Sequence, residues 1–70
     1  MELKEQLKFR SKNNTIILGF NQNWKFTKKI ILDNGKESKW ATTHKELIDK
    51  SKAKEVLENI KKAYLERERR

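Results

Sequence analysis

The chain reads as an α+β fold: a small two-layer domain with a four-stranded antiparallel meander and a C-terminal helix packed on one sheet face. Three observations predict it. Up to about Thr43 the apolar residues alternate or run in short blocks of Ile, Leu, Phe and Trp, the signature of strands. Three clusters rich in asparagine, "KNN" at 12–14, "NQN" at 21–23 and "DNG" at 33–35, punctuate those blocks with residues that tolerate positive φ. Beyond them Ala53, Val56, Leu57, Ile60 and Tyr64 recur at three- and four-residue steps, a single helical stripe.

The strands fall at about 5–12, 15–20, 24–32 and 37–42. Register follows from which turn gathers one apolar face, because a one-residue slip sends every side chain to the other side. An Asn13-Asn14 turn sets Phe9 opposite Leu18 and Leu7 opposite Phe20. A three-residue loop at 21–23 sets Phe20 opposite Trp24. At "DNGK" a type I turn closed by Gly35 in a bulge sets Lys28 opposite Trp40 and Phe26 opposite Thr42. These registers collect Leu7, Phe9, Ile16, Leu18, Phe20, Trp24, Phe26, Ile30, Leu32 and Trp40 on one side. Lys28 is the misfit there, tolerable if its stem lies along the edge of the core.

Helix is expected over 44–67, with a break near Asp49–Ser51 because Leu47 and Ile48 lie off the stripe. Thr43 with Glu46 fits a capping box for a short first helix, and Ser51 fits the cap of the longer second one. Residues 68–70 should fray.

Seventy residues make one domain, spanning 1–70, near the size where a single core supplies little net stability. Without cysteine there is no disulfide and no thiolate metal site, which fits a reducing, cytoplasmic setting. No apolar run approaches the roughly 20 residues of a membrane span, and no signal-peptide pattern opens the chain, so no membrane role is expected. Lys and Arg number 18 against 10 Asp and Glu, a formal charge of +8. An AT-rich genome inflates lysine without any binding role, so the position of the charges decides: codon bias scatters charge and a binding site gathers it.

The same registers set an outward row of Lys12, Thr15, Lys29 and Lys39, flanked by Lys8, Arg10, Lys25 and Thr27. A Lys29–Lys39 cross-strand pair costs stability, and a phosphate backbone lying across the face would offset that cost. The expected site is therefore Lys8, Arg10, Lys12, Lys25, Thr27, Lys29 and Lys39, binding DNA or RNA by its phosphates. On the helix, cations and carboxylates intermix as solvated neighbours, for example Glu58 with Lys61 and Lys62. The alternative is a compact phage-type inhibitor or adaptor that docks on a host protein, with Leu65, Ile17 and Ile31 as contact surface. A homodimer is compatible with either reading.

No enzyme is expected. His44 is the only histidine and no motif fixes a carboxylate beside it. Gly19 and Gly35 form no phosphate loop, and no metal-ligand or cofactor motif occurs. Trp24 and Trp40 suit base stacking, but the register turns both inward. The stretch "ILDNGKESKW…SKAKEVLENI" resembles the arm domain at the start of tyrosine recombinases, with its Gly-Lys hairpin followed by a Lys- and Ala-containing helix. That likeness implies a sheet lying in a major groove; it spans less than half the chain. The order of four strands then one helix also looks like a family of single-strand binders that dimerise through the helix.

Overall fold

A computed structural model of the chain describes residues 3–68. Strands β1 (Glu5–Ser11), β2 (Asn14–Phe20), β3 (Lys25–Ile31) and β4 (Ala41–Glu46) form one antiparallel sheet in sequential order. A single 3₁₀ turn, Lys50–Lys52, then leads into helix α1, Ala53–Glu68. The expected meander with a helix on one face is the observed fold.

The first hairpin turns at Lys12-Asn13, both at positive φ (49° and 70°), the backbone a type I′ turn requires. The turn lies one residue earlier than expected, so Phe9 faces Ile16 and Leu7 faces Leu18. The second loop occupies 22–24, again one residue from expectation, and Phe20 faces Phe26. Asn21 organises it: its Oδ1 accepts from the amides of Asn23 (2.9 Å) and Lys25 (3.0 Å). Trp24, not a glycine, takes the left-handed position at φ 59°. Both corrections move the pairing by two residues, which preserves the alternation and leaves the apolar face intact.

The third hairpin keeps its expected turn and loses its expected register. Gly35 stands at φ 88°, and its amide donates to the Leu32 carbonyl at 2.9 Å. Ile31 accordingly bridges to Glu37. At the next position Ser38 donates its amide to the Ile30 carbonyl (2.8 Å) and accepts the Ile30 amide on its hydroxyl (2.9 Å). A side-chain oxygen thus serves where a backbone carbonyl would, and one extra residue slips past before Lys28 meets Ala41 and Thr27 meets Thr42. The expected Lys28–Trp40 pair does not form. Trp40 turns to the Lys29 side, and Leu32 is left exposed (44%) rather than in the core.

Residues 41–46, expected to run from strand into a capped helix, are strand throughout. Thr42 bonds Thr27 hydroxyl to hydroxyl (3.0 Å), Thr43 Oγ1 donates to the Phe26 carbonyl (3.4 Å), and the Leu47 amide donates to the Trp24 carbonyl (2.8 Å). Those bonds hold the chain on the ladder back to the start of β3, so the Thr43–Glu46 capping box is not formed. The helical part begins instead at Asp49, whose Oδ1 accepts the Ser51 amide at 3.1 Å. Asp49 is the cap where Ser51 was expected. Of the tail expected to fray, Glu68 ends the helix, and Arg69 and Arg70 lie outside the described residues.

The core is Phe9, Ile16, Leu18, Phe20, Ala53 and Leu57, all buried. The rest of the expected stripe, Val56, Ile60 and Tyr64, packs against it, as does Leu65, which is therefore no free contact surface. Phe9 meets Tyr64 with ring centroids 5.7 Å apart, and Phe20 meets Phe26 edge-on at 6.0 Å. The helix lies over β1 and β2, and it reaches β3 through the Lys28 ammonium, which donates to the Tyr64 hydroxyl at 3.2 Å. That bond accommodates the misfit lysine at the core's edge. Among the described residues, no helix is long and apolar enough to cross a membrane.

Candidate nucleic-acid interface

Because successive side chains of a strand point to opposite faces, the residues that alternate with the core form the sheet's outer face. One row across it is Lys8, Ile17 and Lys29, and the next is Arg10, Thr15, Ile31 and Glu37. A third is Gln6, Gly19, Thr27 and Thr42, whose middle pair, Gly19 and Thr27, is buried. Leu3 folds over that end, its Cδ1 2.6 Å from where a Cβ on Gly19 would stand, and Thr27 is fully buried. Beyond it Lys25 lies opposite Glu46.

The structure brings Lys8, Arg10, Lys25 and Lys29 to this face, as expected. Lys8 and Arg10 are exposed on edge strand β1, and Arg10 is braced by a bond from its guanidinium to the Asn13 carbonyl (3.3 Å). Three expected members differ. Thr27 is on the face but wholly buried, so it offers no contact. Lys12 sits in the first turn, not in the row. Lys39 belongs to the irregular segment between Glu37 and β4 and is not opposite Lys29. The repelling Lys29–Lys39 pair, which motivated the expected row, is absent: Lys29 is ion-paired with Glu37 and lies over the Trp40 ring, 5.5 Å from its centroid.

The carboxylates of the face, Glu37 and Glu46, both sit toward the β3–β4 side. The β1–β2 half carries Gln6, Lys8, Arg10, Thr15, Ile17 and Gly19, with cations and, among the described residues, no acid. Charge is therefore segregated here, though less symmetrically than the sequence suggested. Trp40, considered for stacking and set aside as inward, is the residue whose side sequence reasoning misplaced. The one available signal was Ser38, a hydroxyl able to replace a ladder carbonyl beside a turn.

His44 lies on exposed β4, not in a first helical turn, and the described residues contain no cluster of His, Cys, Asp or Glu suited to a metal ion. The shallow depressions along α1, such as that between Asn59, Ile60, Ala63, Tyr64 and Arg67, gather no catalytic set. No protein-family model, no curated protein and no solved structure matches the chain.

Proposed function

We propose that the chain is a small non-enzymatic nucleic-acid-binding module whose outer sheet face contacts the phosphate backbone. The observation that carries this reading is the pair Lys8 and Arg10, exposed at successive outward positions of β1 on a half-face that holds no acid among the described residues. Positions i and i+2 of a strand lie about 6.6 Å apart, so the two cations present an ordered line of charge. Lys25 adds a cation farther across the sheet, while Lys29 stays paired with Glu37.

The test is binding of labelled DNA and RNA oligonucleotides across a salt series. Log affinity should fall against log salt with a slope of about −0.7 to −0.9 per phosphate contacted. Lys8→Glu with Arg10→Glu should reduce affinity by more than about tenfold and flatten that slope by about 1.5, the loss of two contacts. No affinity for either nucleic acid at low salt would refute the reading. The docking alternative would then stand, resting on half-buried Ile17 and Ile31 and on Ile48, which is 97% exposed.

A further inference from the structure

We infer that Trp40 is a base-stacking platform, so that the face takes single-stranded nucleic acid in preference to duplex. The inference rests on the phosphate-binding reading above and adds what lies between the phosphates. The two tryptophans have opposite fates. Trp24 packs on the core, its ring 6.3 Å from Phe20 and covered by the Lys50 ammonium at 5.6 Å. Trp40 is outside the core, half-buried, and belongs to no strand.

Burying an indole is among the larger apolar gains open to a small fold, and here it is taken only in part, outside the core. The bonds from Ser38 to Ile30 turn Trp40 out, and they are local and specific. The ring is also held: the Lys29 ammonium lies over it, and Glu37 fixes Lys29. An indole held in place in advance loses little freedom when a base stacks on it. Lys39 precedes it in the chain and Lys8 stands in the row of Lys29, and these are the cations that phosphates on either side of that base would engage. Aromatic rings between cations are how single strands are bound without sequence preference, whereas a duplex keeps its bases in its own stack.

Three probes of equal length separate the possibilities by fluorescence anisotropy: a thymidine oligonucleotide, an abasic oligonucleotide with the same phosphates, and a DNA duplex. The protein should bind the thymidine strand about tenfold tighter than the abasic one. Trp40→Leu should abolish that ratio while leaving abasic affinity and the melting temperature nearly unchanged, and Trp40→Phe should keep part of it. Equal binding of thymidine and abasic strands, both retained at low salt, overturns the stacking role and leaves phosphate binding standing. A ratio that survives in folded Trp40→Leu overturns it as well. Failure of all three probes at low salt removes phosphate binding, and the stacking inference falls with it.

Discussion

The two glycines do different work, and each dictates a different penalty. At Gly35 a Cβ would meet nothing within 4 Å, yet the backbone stands at φ +88°. Gly35→Ala should therefore cost about 1 kcal/mol, all of it backbone conformation. Gly19 needs no special backbone but has no room: a Cβ would come within 2.5 Å of the Glu5 carbonyl oxygen and 2.6 Å of Leu3 Cδ1. The first of these is main chain, so β1 itself must move. Gly19→Ala should cost roughly 1–3 kcal/mol, the range for overpacking, and urea denaturation should rank it at or above Gly35→Ala. Lys12 presents the reverse opportunity. It holds φ 49° in the first turn, where asparagine is far more at ease, so Lys12→Asn should raise the melting temperature.

Within the helix, burial separates neighbours on one stripe. Leu57 is 2% exposed and Ile60 half-buried, so Leu57→Ala should cost about 3 kcal/mol and Ile60→Ala about half that, by chemical denaturation. The reverse order would mean that the stripe is rotated relative to the sheet. That stripe was legible from Ala53 to Tyr64 because a 3.6-residue period shows through single residues. The strands were legible for a related reason, since apolar parity fixes the face of each. It tolerates a two-residue error, which is why Phe9 and Ile16 are core whichever of Lys12-Asn13 or Asn13-Asn14 makes the turn. Parity offers no protection against a one-residue slip. The slip at Ser38 reversed Trp40 and dissolved the Lys29–Lys39 pair, through a bond from the Ile30 amide to the Ser38 hydroxyl that no periodicity encodes. The start of the helix was illegible for the same kind of reason. Thr42 and Thr43 bond to β3, and a contact between distant residues outweighs a local capping pattern.

Taken whole, the molecule carries charge on both layers, and distance decides which charges a ligand on the outer face feels. Its principal extents are 33 × 25 × 17 Å, with the helix on the far side of the sheet from Lys8 and Arg10. The Debye length is about 8 Å at 0.15 M salt, well short of the thin dimension, and about 30 Å at 0.01 M, well beyond it. Cations on α1 therefore add to the attractive field at low salt and are screened from the ligand at physiological salt. Lys54→Glu with Lys62→Glu, both exposed on the helix, should weaken oligonucleotide binding at 0.01 M salt and leave it unchanged at 0.15 M. Lys8→Glu with Arg10→Glu should weaken it at both, because contact with a phosphate does not depend on a long-range field. Each carboxylate introduced on the helix would meet Glu58 one turn away, a cost of roughly a few tenths of a kcal/mol per pair that melting can register separately. If the helix pair weakened binding equally at both salts, the ligand would be touching α1, and the outer sheet face would no longer be the place where it binds.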